Sequence, residues 1–211
     1  QAFITTDLDD NQITAFHPGA MNSSHLNRIG EASDVTLGIV APDGRAGMMQ
    51  HAREFSELGI PFIFDPGQGL PMFDGPELLE FLSLADYCTV NDYEAKLLTE
   101  RTGKTIEELA REVRVLVVTL GAQGSRFYAD GVCIDIPAVP AEQLLDPTGC
   151  GDAYRAGLLY GIQKGWSWQK TGRLAALMGS IKIGYRGGQN HKPTREDIAA
   201  RFIAAFGETL D

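Results

Sequence analysis

The stretch D-P-T-G-C-G-D-A-Y, residues 146–154, decides how this chain is read. Pro147 and the two glycines delay a helix until about Gly151. Small residues there let backbone N–H groups come close to a ligand. Gly149, Cys150 and Gly151 are expected to point unpaired amides outward at the helix N-terminus, a geometry that suits a phosphate. Asp152 falls in the first turn, where a carboxylate can take the proton of an attacking hydroxyl. A capped glycine turn, with Asp152 merely complementing the helix dipole, accounts for the same letters locally.

Upstream of this stretch the chain alternates. V-T-L-G-I-V (35–40), a helical run from about Arg45 to Leu58 and I-P-F-I-F-D (60–65) read as strand, helix, strand. The unit repeats as P-E-L-L-E-F-L-S-L-A, Y-C-T-V and D-Y-E-A-K-L-L-T-E. V-L-V-V-T-L (115–120) is almost wholly apolar, as a strand covered on both faces should be. The alternation predicts an α/β fold around a mainly parallel sheet. Two hairpins flank it: Ala2–Thr6 with Gln12–Phe16 around Asp9-Asp10-Asn11, and S-R-F-Y-A-D-G-V-C-I-D-I turning at Asp130-Gly131. From Gly151 onward helices dominate: one through Gly161, one over about Trp168–Ile183 and one over Glu196–Phe206. One domain, 1–211, is the simplest organisation.

Composition narrows the class. The 211 residues are 44% hydrophobic, with 28 acidic and 18 basic residues and a net charge of −10. No basic face for nucleic acid is visible, and no apolar run is long enough for a membrane span. Cys88, Cys133 and Cys150 are odd in number and widely spaced, which argues for reduced thiols in a cytoplasmic protein. His51 and His191 have no second ligand at metal spacing and are expected to be solvated or satisfied.

The pattern D-x-T-G-x-G-D resembles the signature of the ribokinase-like, or phosphofructokinase-B, family of carbohydrate and purine kinases. The resemblance implies a three-layer fold, with helices on both faces of the sheet and a small β lid. It gives Asp152 the role of catalytic base and Gly149, Cys150 and Gly151 that of anion hole. N-D-Y-E (91–94) is similar to the family's N-x-x-E motif, which implies that Asn91 and Glu94 organise Mg2+ beside the phosphates. V-V-T-L-G-A-Q-G-S (117–125) resembles the nucleotide loop, with Thr119, Gly121 and Gly124 at its fixed positions. In A-A-L-M-G-S-I-K-I-G-Y-R-G-G-Q-N-H-K-P (175–193), Ala176 and Gly179 would leave room for the adenine of ATP. The loop that follows, with Asp146 and Thr148, would hold K+.

The chain resembles the adenosine-kinase-like branch in residues 7–21, so a nucleoside substrate is favoured over a sugar such as ribose or fructose. Residues 1–18 read as part of the lid, with Phe3, Ile4, Ile13, Ala15 and Phe16 giving it one apolar face. The family runs longer before the first hairpin, where its substrate-gripping acid lies. Lid edges that pair between subunits would make a dimer. Two other classes compete. A Rossmann oxidoreductase lacks its G-x-G-x-x-G after the first strands. A non-catalytic nucleotide-binding relative would have no need of Asp152.

Overall fold

The computed structural model describes residues 1–6 and 12–210, which form two sheets. β1 (Ala2–Thr6) and β2 (Gln12–Phe16) pair antiparallel as a separate ribbon. The expected Asp9-Asp10-Asn11 turn lies outside the described residues. The ribbon corrects one expectation. Phe3 pairs with Ala15, whereas Ala2 pairs with Phe16. Side chains alternate faces along a strand, so the apolar residues divide between both sides rather than sharing one.

The main sheet carries β3 (Gly38–Val40), β4 (Phe62–Phe64), β5 (Tyr87–Asn91), β6 (Val115–Thr119), β7 (Ser125–Ala129) and β8 (Val132–Ile136) in that spatial order. The pairings from β3 to β6 are parallel and the last two are antiparallel. β3 is shorter than the expected 35–40, because this edge strand pairs only over Gly38–Val40. The β7–β8 turn is as expected: Asp130 and Gly131 both take positive φ, at 52° and 74°, the two-residue turn that matches strand twist.

α1 (Arg45–Glu57), α2 (Gly75–Leu84), α3 (Asp92–Thr102) and the short α4 (Ile106–Leu109) connect strands that advance in one direction. Crossovers of one hand then put these helices on one face. Strand alternation supplies their partners. Phe62, Phe64, Cys88, Val90, Leu116 and Val118 pack with Met48, Phe55, Phe81 and Leu98. The intervening Ile63, Tyr87, Val115 and Val117 pack with Tyr154, Leu158 and Ala175 from α5 (Cys150–Gln163) and α6 (Trp168–Ile183). Beyond them, Phe202 of α7 (Arg195–Phe206) closes a third cluster with Leu174, Leu177 and Ile181. Helix, sheet, helix is the three-layer arrangement the sequence implied. Short 3-10 turns over Gly19–Leu26 and Ile29–Glu31 pack on α1, where the sequence suggested no element. Among the described residues, no helix is long and apolar enough to cross a membrane.

Candidate active site

Parallel strands deliver their C-terminal ends to one edge of the sheet, which is where ligands bind in such folds. β5 ends at Asn91, β6 at Thr119, and Asp65 follows β4 immediately. α5 starts at the same edge, at Cys150 rather than Gly151, with Gly149 as its N-cap. Gly149 has φ +82°, and a Cβ there would meet Gly188 O at 2.9 Å, so only glycine fits. The Cys150 N–H turns back onto Pro147 O at 3.0 Å, against the expectation that it points outward. The Gly149, Gly151 and Asp152 amides have no main-chain acceptor among the described residues, so they are the free donors of this terminus. Asp152 stands exposed in the first turn beside them.

The Cys150 thiol is pushed above its ordinary range by burial, with the Lys182 charge opposing. That disfavours a thiolate.

Asp146 and Thr148 form the approach to α5. The Asp146 carboxylate accepts the Thr148 N–H at 2.8 Å and the Gly187 N–H at 2.7 Å. These amides, the Gly187 bond foremost, hold its carboxyl down at about 2. Asn91 and Glu94 make a reciprocal cap on α3. Asn91 Oδ1 accepts the Glu94 N–H at 2.7 Å, and Glu94 Oε2 accepts the Asn91 N–H at 2.8 Å. Burial raises the Glu94 carboxyl above its usual range, while the Asn91 amide and the Arg155 charge pull the other way. Glu94 Oε1 is not used by the cap. Among the described residues no cluster of three or more His, Cys, Asp or Glu side chains is placed to hold a metal.

Arg155 and Asp65 are the site residues that sequence reading missed. The guanidinium donates from Nε to Asp65 Oδ2 and from Nη2 to Asp65 Oδ1, both at 2.8 Å. Asp65, Glu94 and Asp152 all act on this one cation. The pair therefore ties the end of β4 to α5 at the sheet edge. Two signals were available: Asp65 ends an apolar parallel strand, and Arg155 lies three residues after Asp152 on the same helical face.

Beside α5 opens a cleft of about 490 Å3. Thr119, Gly121, Gly124, Cys150, Gly151, Ala176 and Gly179 line it, together with Leu144, Val139 and Tyr154. Every residue expected at the nucleotide loop and adenine site is thus brought into one mostly apolar pocket. Gly124 is required by its backbone, with φ +90° and Ile136 O only 2.1 Å from where a Cβ would sit. Tyr154 anchors the floor by donating its hydroxyl to Ser125 Oγ at 2.7 Å. Asn91, Glu94, Asp146, Thr148, Gly149 and Asp152 lie outside the cleft lining. His51 Nε2 lies 3.1 Å from Asn27 O, while His191 Nδ1 is buried without a hydrogen-bond partner.

Known proteins share this fold. A nucleoside kinase from Burkholderia thailandensis, solved in complex with inosine, has a TM-score of 0.96 and 56% identity over 99% of this chain and 68% of that one. Curated nucleoside kinases from Methanocaldococcus jannaschii and Methanothermobacter thermautotrophicus are 31% and 33% identical over 95% and 98% of this chain. The chain spans about two thirds of the length of these relatives, 66% and 67%. The model of the pfkB family of carbohydrate kinases matches residues 1–195. Together with the α5 terminus and the cleft beside it, these matches show that the chain belongs to the pfkB carbohydrate kinase family.

Proposed function

We propose that this chain transfers the γ-phosphoryl group of ATP to a hydroxymethyl group of a nucleoside. The free amides of Gly149, Gly151 and Asp152 beside the Asp152 carboxylate carry the reading. They offer donors for phosphoryl charge and a proton acceptor at one helix terminus. The substrate hydroxyl would lie between Asp152 and the γ-phosphate, with Asp152 taking its proton as the new O–P bond forms. Adenine would enter the apolar cleft between the Gly121–Gly124 loop and Gly179. A nucleoside acceptor is supported by the Burkholderia relative, which is solved with inosine and with ADP-inosine. A ribokinase from Lactococcus lactis, 30% identical over 95% of this chain, keeps a sugar acceptor as the second reading.

The residues fit Mg2+. This ion keeps several waters and takes one or two carboxylates plus phosphates, and Glu94 offers one oxygen that the α3 cap does not use. When bound, it would neutralise charge on the β- and γ-phosphates. The residues do not fit K+ in the same way, because the Asp146 and Tyr185 carbonyls already accept the Lys182 ammonium, whose charge would repel a second cation.

We read 1–211 as a single kinase domain with residues 1–18 in a lid. Phe3 and Phe16 are 66% and 55% exposed on a two-stranded ribbon, which supports cover by closure or by a second copy. A reducing, cytoplasmic setting is supported by three free cysteines.

The test is a product assay with ATP and Mg2+ against inosine, adenosine, ribose and fructose. Nucleoside monophosphate is the expected product. Phosphorylated sugar with no nucleotide formed would favour the second reading. No phosphoryl transfer to any acceptor, by a chain that is folded, would overturn both.

A further inference from the structure

Lys182 is fully buried, at 0% exposure, near the end of α6. Its ammonium donates to two main-chain carbonyls, Asp146 O at 2.7 Å and Tyr185 O at 3.0 Å. Burying a cation is costly unless its donors are met. An apolar side chain would fill the same volume without that cost, so the charge needs a reason.

The carbonyls it joins provide one. Asp146 begins the loop that delivers Gly149 to α5, and Tyr185 begins the loop that carries Gly187 and Gly188. The same two loops are tied by the Gly187 N–H to Asp146 Oδ2, and by the Leu145 and Asp146 amides to Ile183 O at 2.9 and 3.2 Å. Gly149 sits directly against Gly188, so the second loop sets the position of the α5 terminus. Carbonyl oxygens gathered from two loops are the ligands a hard cation takes. Here an ammonium from the chain itself holds them.

We infer that Lys182 is a built-in monovalent cation, a positioning residue whose ammonium locks the 146–149 and 185–188 loops so that phosphoryl transfer needs no K+. The inference rests on the kinase reading for its activity arm only. Lys182 touches neither reacting atom. It acts by fixing the Gly149 and Gly151 amides where phosphoryl charge develops.

The experiment titrates K+ into tetramethylammonium buffers at constant ionic strength, following both inosine phosphorylation and thermal unfolding. The wild-type kcat and Tm are expected to stay unchanged. Lys182→Ala should lose about 100-fold in kcat, the scale on which small misplacement of catalytic groups costs rate, with a smaller change in nucleoside KM. Added K+ or ethylammonium should restore part of that kcat and raise the variant's Tm, which a purely space-filling role would not allow. A wild-type kcat or Tm that rises with K+ overturns the inference, as does a folded Lys182→Ala with wild-type kcat. If the variant does not fold, the wild-type titration decides alone. If wild type transfers phosphate in no buffer, the kinase reading fails, and the wild-type Tm titration still decides whether K+ has a place here.

Discussion

Arg155 and Asp65, ninety residues apart in sequence, meet side-on as a bidentate pair with both N–O distances at 2.8 Å. Their side chains are only 12% and 10% exposed. Removing one partner strands the other charge in a poorly solvated place. Asp65→Ala and Arg155→Ala should therefore each lower stability by about 3–5 kcal/mol, the usual loss when a buried pair is broken. Asp65→Leu combined with Arg155→Met should regain much of it, because neither charge remains. Urea unfolding reads this directly. A double variant no more stable than the singles would contradict the pairing. Activity should stay low in the double variant, since Glu94 and Asp152 lose the cation they share.

Asp152 carries the second expectation. Asp152→Asn keeps the side-chain volume and the three free amides but cannot accept a proton. Transfer should fall by about a thousandfold, within the usual range for a general base, while ADP binding stays near the wild-type value. Single-turnover assays with calorimetry on the same samples separate the two. A variant that binds ADP and still turns over at the wild-type rate would remove Asp152 from the chemistry.

Much of this was legible because the fold is written locally. The apolar runs ending in Asp65, Asn91 and Thr119 are short, separated by helical segments and parallel in register, so strand ends and site coincide. The 146–154 stretch likewise states its own geometry, since Gly149 needs positive φ and Asp152 follows within one turn. What sequence could not show depends on long-range pairing. Arg155 finds Asp65, and Lys182 reaches back to Asp146, only once β4, α5 and α6 are packed. Nothing near either residue in sequence announces its partner. The single apolar face expected of residues 1–18 fails for a different reason. Side chains alternate along a strand with a period of two, so the register divides Phe3 from Phe16.

Asp146 predicts an acid limit. Its carboxyl is held at about 2 in the folded chain against an ordinary 3.8, through the Gly187 and Thr148 amides. A depressed folded value means that the stabilisation is fully present above 3.8 and is lost as pH falls towards 2. Asp146→Asn replaces one acceptor with an NH2 group that faces a backbone N–H. The variant should melt below wild type at neutral pH, with a gap that is constant down to about 3.8 and closes towards 2. Thermal melts of both proteins across this range test it. A gap that persists unchanged at the lowest pH would mean that Asp146 does not act through its charge.

Gly179 tests the cleft as the adenine site. It lies within α6, and a Cβ added there would meet only Cys150 O, at an ordinary 3.6 Å. The first carbon of a larger side chain therefore fits, and leaving glycine inside a helix gains up to about 1 kcal/mol of helix propensity. The remaining carbons of leucine would occupy the space between α6 and the Gly121–Gly124 loop. Gly179→Leu should keep or raise Tm while weakening ADP by about tenfold or more, since overpacking a filled site costs at least about 1.4 kcal/mol. Nucleoside binding without nucleotide should be unchanged, because Asp152 lies outside the cleft lining. Calorimetry with ADP and with inosine separates the two ligands. An undiminished ADP affinity would place the purine elsewhere, and a parallel loss of inosine binding would show that the substitution had displaced α5 rather than filled the cleft.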